Sequence, residues 1–248
     1  MSLNRVNASD IVKKQFQYKL KAYVGVFTSL VVVQIIALIF SYGGTGGGFS
    51  SSNGIDVRYQ TYTVDNVIVL TSLWALIHAI ILTTKKDWQH AFPFVGNSWT
   101  NNLSNILLLL FASIIAAVLT VLSAFAIRVI IFHFVNEDLF RSYTFFLTAE
   151  NILSGWYVLT FHFFFICAIG YFLGTVSRIH PMLPILVPVI MIGLLIVFEQ
   201  IHQGFMIEIA TFYYEETNPA LFFVKMVTTS TILFAVSVFI SNRTEVRT

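Results

Sequence analysis

The chain has 248 residues, of which 57% are hydrophobic and only 10% are charged, and its mean hydropathy is +0.81. A soluble domain carries about 25% charged residues, so this composition excludes a water-soluble globular protein and indicates an integral membrane protein. The formal net charge of +2 and the lack of a long basic run argue against nucleic-acid binding. The single cysteine, Cys167, excludes an intrachain disulfide and a multi-cysteine metal site.

Residues 1–21 are polar and basic, and they predict an amphipathic helix at the membrane surface. Ser9 and Asp10 are typical of a helix start, because a hydroxyl caps free N–H groups and a carboxylate suits the positive end of the helix dipole. Apolar residues then recur at helical spacing between lysines, at Val12, Phe16, Leu20 and Tyr23. We expect this helix to lie in the headgroup layer, held by aromatic rings and by attraction to anionic lipid. The alternative is an ordinary charged lead-in to a membrane span.

Six apolar runs are long enough to cross a bilayer, which takes about 20 helical residues. The predicted spans are residues 22–40, 66–83, 106–134, 152–174, 182–201 and 221–240. The first span does not resemble a signal peptide, because its charged lead and apolar core are both too long and no Ala-x-Ala follows. With no internal repeat, the sequence predicts an all-α polytopic membrane protein with one transmembrane domain over residues 1–248.

A glycine- and serine-rich stretch, residues 41–53, follows the first span. It is not a phosphate-binding loop, because no predicted strand precedes it and no Lys-Ser/Thr closes it. We expect a flexible outer loop there. Residues 54–64 alternate in polarity enough for a short extended segment.

The basic residues predict the orientation of the chain. Six spans place both termini on one side, and the segments on that side hold ten lysines and arginines, against three in the opposite segments. The ten are Arg5, Lys13, Lys14, Lys19, Lys21, Lys85, Lys86, Arg178, Arg243 and Arg247; the three are Arg58, Arg141 and Lys225. The positive-inside rule therefore predicts a plasma-membrane protein with both termini in the cytoplasm.

A polar segment, residues 84–105, separates the second and third spans on the predicted cytoplasmic side. It combines residues that anchor at the interface, interrupt the backbone and start a helix: Trp88, Phe92, Phe94 and Trp99, then Pro93 and Gly96, then Asn97 and Ser98. We interpret it as a short helix across the membrane face on which a soluble partner can push. The chain has no Gly-x4-Gly-Lys-Ser/Thr motif, so any energy for transport comes from an ion gradient or another subunit.

This layout resembles the type-2 exporter permeases of ABC transporters, which share the basic N-terminal helix, the six spans and a Phe-Pro-centred inner loop. In that family the loop contains the coupling helix that docks on the ATPase. Residues 92–98 match it in outline, although Asn97 stands where the family often has a basic residue. Residues 170–174, followed by Ser177 and Arg178, resemble the family's glycine-bearing fourth span and inner turn. Residues 200–219 stand where these permeases fold a re-entrant outer hairpin.

The resemblance implies the permease half of a bacterial exporter that works by alternating access. The expected partners are a second permease copy or paralogue and two cytoplasmic ATPases, which would carry ATP and Mg; this chain itself would bind no cofactor or metal and have no catalytic residue. The implied ATPase-coupling residues are Phe92, Pro93, Phe94, Asn97, Ser98, Trp99, Asn101 and Leu103. Nothing resembles the Glu-Ala-Ala loop of importers, which favours export of an amphipathic peptide, drug or lipid-like substrate.

Ionisable residues within a membrane span are costly and often functional, and Arg128, Glu199, His162 and His78 are the candidates among those in the predicted spans. At 1.5 Å per residue, Arg128 and Glu199 lie about 33 and 26 Å along their spans, which predicts structural roles at the outer edge. His162 and His78 lie about 15 and 18 Å deep, near the midplane. These two histidines are candidates for lining a translocation path; hydrogen bonds between helices are the plainer interpretation.

Three other functions compete with the exporter. Residues 198–202 and Glu215-Glu216 faintly resemble the motifs of CAAX-type membrane proteases, but the required arginine is missing and the order is wrong. An ion-coupled secondary transporter would need several carboxylates near the midplane, and this sequence has none there. A non-transporting scaffold or sensor would explain the polar segment without an ATPase.

Overall fold

The computed structural model describes residues 8–52, 55–83, 98–134, 148–179, 182–216 and 218–245, and that part of the chain is helical apart from one β-hairpin. Its elements in chain order are α1 (Ala8–Ala22), α2 (Val24–Tyr42), β1 (Gly46–Ser52), β2 (Ile55–Thr61), α3 (Asp65–Leu82), α4 (Ser98–Phe134), α5 (Ala149–Ser177), α6 (Leu183–Ile201), α7 (Phe205–Tyr214) and α8 (Pro219–Glu245). The predicted all-α fold class, with an N-terminal helix before the spans, is confirmed.

Five helices within the described ranges are long and apolar enough to cross a membrane: α2, α3, α4, α5 and α8. The helices α6 and α7 meet the same criterion together, with a bend of 110° between them, and counting this pair as one broken span gives six. The bent pair coincides with the predicted fifth span and the segment expected to be re-entrant. The helix α4 has 37 residues, about 55 Å at 1.5 Å per residue. It begins at Ser98, one of the two residues predicted to start a helix, and continues without a break into the predicted third span, residues 106–134.

The β-hairpin differs from the flexible loop expected for residues 41–53. The strands β1 and β2 pair antiparallel, with Gly46 opposite Thr61 and Ser52 opposite Ile55. Glycine and serine have low strand propensity, so the strand pattern is weak in the sequence, and the pairing with β2 supplies the ladder. The base of the hairpin is held by Thr45 and Thr63, whose hydroxyl oxygens lie 2.9 Å apart.

Contacts divide the chain into two compact units, and α3, α4 and α5 each run through both. As far as the chain is described, the first unit comprises Met1–Ala22, Ala75–Phe111 and Phe164–Thr248, and the second comprises Tyr23–Trp74 and Ala112–Phe163. Each unit therefore contains one part of α3, of α4 and of α5.

A buried amide joins three helices in the second unit. Gln34 of α2 is 5% exposed, and its Nε2 donates to Thr120 Oγ1 of α4 at 3.1 Å and to Thr71 Oγ1 of α3 at 3.4 Å. Ser123 Oγ donates to Gln34 Oε1 at 3.2 Å. Polar side chains bonded in this way hold helices together where lipid gives no hydrophobic drive. An apolar cluster completes this core, with Ala37, Val67, Ile127 and Ile131 buried.

Two glycines bring α3 and α5 into close contact in the first unit. A Cβ added at Gly170 would lie 2.6 Å from the Leu76 main-chain oxygen and 2.9 Å from Ala79 Cβ, and one added at Gly174 would overlap Thr83. Small residues four apart let helix backbones approach closely in membranes. This seam runs along α3 to its C-terminal end, where the polar segment begins.

Candidate functional site

Two residues flank segment 84–97, Thr83 and Ser98, and they are joined to each other through Arg178 and Ser241. Arg178, directly after α5, donates from Nε to the main-chain oxygen of Thr83 and from Nη1 to Ser241 Oγ of α8 at 3.3 Å. Ser241 Oγ lies 3.4 Å from Ser98 Oγ, at the start of α4. We call Thr83, Ser98, Arg178 and Ser241 the helix-end junction, because it joins the ends of α3, α4, α5 and α8.

The helix-end junction supplies hydrogen-bond partners to backbone groups that have none within their own helix. The last carbonyls of a helix lack internal hydrogen-bond partners and carry partial negative charge, so a guanidinium beside the end of α3 is favourable. Thr83, Ser98 and Ser241 are buried, and Arg178 is half-buried. Hydroxyls and guanidinium therefore replace water at this site.

Lys19 of α1 is buried against the first turns of α4. Its side chain is 7% exposed, and Nζ donates to Asn101 Oδ1 at 2.7 Å, to Ser104 Oγ at 2.6 Å and to Asn105 Oδ1. The Asn101 main-chain oxygen lies 3.3 Å from the same nitrogen. A buried ammonium group is tolerated only where hydrogen bonds replace its hydration, and these neutral oxygens provide them.

Tyr171 of α5 contacts the same part of α4 from another helix. Its hydroxyl donates to Asn102 Oδ1 at 2.7 Å and accepts from Asn105 Nδ2 at 3.3 Å. Asn105 thus joins Lys19 to Tyr171. We call the group Lys19, Asn101, Asn102, Ser104, Asn105 and Tyr171 the asparagine cluster. Within the part of the chain that is described, two further buried atoms, Gln15 Oε1 and Asn102 Nδ2, have no hydrogen-bond partner.

Sequence reasoning missed this cluster because it placed Lys19 with the lipid-facing lysines. The buried face of α1 is formed by Val12, Gln15 and Lys19, which recur at three and four residues. Lys13, Lys14 and Lys21 are exposed. The available signal was the polar pattern Asn101, Ser104, Asn105, which places three hydrogen-bonding side chains on one side of α4.

The predicted ATPase-coupling residues fall into two groups. Phe92, Pro93, Phe94 and Asn97 lie outside the described residues. Ser98 and Asn101 are 4% and 8% exposed and make contacts within the chain, Leu103 is half-buried, and Trp99 is 52% exposed. Of the four described residues, Trp99 has the side chain most open to a partner.

The predicted path residue His162 makes a defined contact within the second unit. Its Nε2 lies 3.1 Å from Ser72 Oγ, and Ser72 Oγ donates to the Ile68 main-chain oxygen at 2.8 Å. The tautomer of His162 determines which of the two atoms, Ser72 Oγ or His162 Nε2, donates in this contact. His78 is half-buried on α3.

Glu199, predicted at the outer edge, caps the helix that follows it. Its Oε1 accepts from the Gly204 N–H at 2.9 Å and its Oε2 from the Met206 N–H at 2.8 Å. Gly204 has φ +97°, a conformation that glycine adopts without strain, and the chain bends there between α6 and α7. Arg128, the other predicted outer residue, is half-buried on α4.

A salt bridge closes the other end of α7. Lys225 Nζ lies 2.6 Å from Glu216 Oε2 and 2.8 Å from the Phe212 main-chain oxygen, and 4.0 Å from the centre of the Phe212 ring. The hydrogen bond from Lys225 lowers the pKa of Glu216 below its ordinary value. Together with Glu199, this bridge holds α7 at both ends.

Comparison of the chain with known protein families, with curated proteins and with solved structures gave no match. Among the residues that the structure describes, no three His, Cys, Asp or Glu side chains are grouped to hold a metal ion. By helix length and hydropathy the chain is a multi-span membrane protein.

Proposed function

We propose that the chain is the membrane-spanning permease subunit of an ATP-driven exporter, of the ABC type-2 kind. The observation that carries the proposal is the helix-end junction. Arg178 and Ser241 hold Thr83 and Ser98, the residues on either side of segment 84–97, against the ends of α5 and α8. A push on that segment would act on four helix ends at once, which is the mechanical property that a coupling segment needs.

Two features of the layout support the same proposal. A basic amphipathic helix, α1, precedes the first span and packs on the N-terminal half of α4, where Phe16 meets Phe111 edge-on at 6.2 Å between ring centres. The bent pair α6–α7 precedes the last span, with an angle of 110°. Both features support the layout that the family resemblance implies.

The described residues suggest that different residues of the proposed coupling segment, residues 84–105, have different roles. Trp99 is exposed, and it would contact the ATPase together with Phe92, Pro93 and Phe94. Ser98 and Asn101 would instead transmit the movement into the helices. ATP and Mg would be bound by two separate ATPase chains, and a second permease copy or paralogue would complete a path for an amphipathic substrate.

An ion-coupled secondary transporter is a second candidate, favoured by one observation. Histidine is the side chain that most often carries protons in proteins near neutral pH, and the contact of His162 with Ser72 places it between α5 and α3 within the second unit. A proton-coupled transporter would use such a group directly. A scaffold or sensor without transport remains an outcome of the experiment below.

The test is purification of the tagged protein from its native host in mild detergent, with mass spectrometry of the associated proteins. One variant replaces residues 88–96 by a Gly/Ser linker of equal length and leaves α4 intact. A matched control replaces residues 137–145, on the opposite side of the predicted topology, in the same way. We expect an ABC-type ATPase with the wild type and the control and none with the first variant.

The proposal is overturned if no ATPase associates with the wild type under conditions that preserve a known ABC transporter of the same host. Proton uptake measured in proteoliposomes then separates the other two functions. Uptake that is lost in His162→Gln supports the ion-coupled transporter, and an absence of uptake supports the scaffold or sensor.

A further inference from the structure

We infer that Lys19 is a positioning residue that fastens α1 to the first turns of α4, directly after segment 84–97. The two helices would then move together at this point. The alternative is that α1 is held only by the membrane surface and follows the lipid. The fastening itself rests on contacts in the first unit; the movement that it transmits rests on the proposed function.

The contact face of α1 sets the rotation of the helix about its own axis. Val12, Gln15 and Lys19 are 5%, 2% and 7% exposed and lie on one side, since residues three and four apart share a helix face. The exposed lysines Lys13, Lys14 and Lys21 are offset from that face. Lys19 therefore does not share the exposed side of α1 with these lysines, and its charge contacts α4 inside the protein.

The fastening point lies close to the end of segment 84–97. Asn101, the first residue that Lys19 contacts, stands three residues after Ser98 of the junction, about 4.5 Å along the helix. Ser104 and Asn105 extend the contact by one turn. A displacement of segment 84–97 would therefore reach the ammonium group of Lys19 through less than one turn of α4.

The bonds of Lys19 make separation of α1 from α4 unfavourable. Pulling the helices apart would remove all four oxygen acceptors that surround the buried ammonium group, and an unpaired buried charge is costly. On another side of α4, Tyr171 contacts Asn102 and Asn105. The start of α4 is thus held from α1 by an ammonium group and from α5 by a phenol.

The experiment measures the distance between α1 and α4 in the reconstituted complex by pulsed electron spin resonance. Spin labels are placed at Gln17→Cys on α1 and Leu107→Cys on α4, both exposed positions, in a Cys167→Ala background. The variants are Lys19→Met, Lys19→Arg and Ser104→Ala. The matched control is Lys14→Met, which removes the same charge from the exposed side of the same helix.

We expect one narrow distance distribution in the wild type and in Lys14→Met, unchanged between the nucleotide-free state and a non-hydrolysable ATP analogue. In Lys19→Met we expect the single narrow distance distribution to be lost. In Lys19→Arg we expect a distribution between those of Lys19→Met and the wild type. Ser104→Ala, which removes one acceptor and no charge, broadens the distribution less than Lys19→Met and serves if that variant does not fold.

Two results overturn the inference: Lys19→Met and Ser104→Ala both retain the narrow, nucleotide-independent distance, or Lys14→Met broadens it as much as Lys19→Met does. The second result would show that attraction to lipid holds α1. If no ATPase associates, the proposed function fails, and the nucleotide-free comparison of the same variants still decides whether Lys19 fastens α1.

Discussion

Gly174 of α5 lies so close to Thr83, the residue after α3, that a Cβ added to the glycine would overlap the threonine hydroxyl and lie 2.9 Å from the Ile80 main-chain oxygen. The same threonine offers its main-chain oxygen to Arg178, one helical turn beyond the glycine. The end of α3 is therefore held to α5 by steric fit and by a hydrogen bond. These two contacts fix the residue that precedes segment 84–97.

The first prediction concerns this fit. Gly174→Ala forces backbone atoms apart, and overpacking of this kind typically costs about 1–3 kcal/mol. Gly155→Ala is the matched control on the same helix, because a Cβ there meets nothing within 4 Å and alanine favours a helix by about 1 kcal/mol over glycine. Thermal unfolding in detergent should show a lower midpoint for Gly174→Ala alone. Equal midpoints for the two variants would contradict the close contact.

The second prediction concerns Arg178. Arg178→Gln removes the donor to the Thr83 carbonyl, and leaving such a buried acceptor unpaired costs about 1–3 kcal/mol of unfolding free energy. Arg178→Lys should lose less, since the ammonium can reach one of the two acceptors but cannot span both. Arg243→Gln, at an exposed position on α8, is the control.

A double-mutant cycle with Ser241→Ala measures how far the two side chains of the junction depend on each other. We expect the combined loss to be smaller than the sum of the single losses, because both variants break the 3.3 Å bond between them. Strict additivity would mean that this bond contributes nothing.

The third prediction concerns Glu199 at the bend between α6 and α7. Glu199→Ala removes both acceptors of the Gly204 and Met206 N–H groups, so the first turn of α7 should lose protection against hydrogen exchange. Glu199→Gln, which keeps one acceptor, should lose less. Gln200→Ala changes an exposed neighbour and should leave exchange at these two amides unaltered. Unchanged exchange in Glu199→Ala would rule out the capping role.

The fourth prediction concerns pH. The hydrogen bond from Lys225 lowers the pKa of Glu216 below its ordinary value of 4.5, so the folded state prefers the ionised carboxylate. This contribution to stability is present above the ordinary pKa and is lost as the pH falls through the lowered pKa of the folded state. The bridge is half-buried, with 22% and 18% of the two side chains exposed, so salt should weaken it less than it weakens an exposed ion pair.

The measurement is thermal unfolding of the wild type and Glu216→Gln across pH 3–7. The difference between their midpoints should be constant above pH 4.5 and shrink below it. Glu208→Gln, at an exposed position on α7, should not reproduce that pattern. A wild-type advantage that persists at the lowest pH would show that Lys225 does not set the protonation of Glu216.

The predicted spans agree with the helices because a run of about 20 apolar residues can only be helical in lipid. Agreement is poorer at the polar ends. The residues that start α4 were predicted, but the hydrogen bonds of Asn101, Asn102 and Asn105 with α1 and α5 were not, because their polarity alone suggested residues exposed outside the span. The β1 strand was missed because glycine and serine carry little strand signal without the partner strand.

Composition and the length of the apolar runs by themselves determined that this chain crosses the membrane several times and that a polar segment interrupts it between the second and third runs. These are properties of single segments in lipid and need no knowledge of neighbours. Only the tertiary structure decided that Lys19 is buried on asparagines 82 and 86 residues away. It also decided that Arg178, through Ser241, joins Thr83 and Ser98, the residues on either side of segment 84–97. Helical periodicity assigns a side chain to a face, but the partner of that face depends on packing between distant helices.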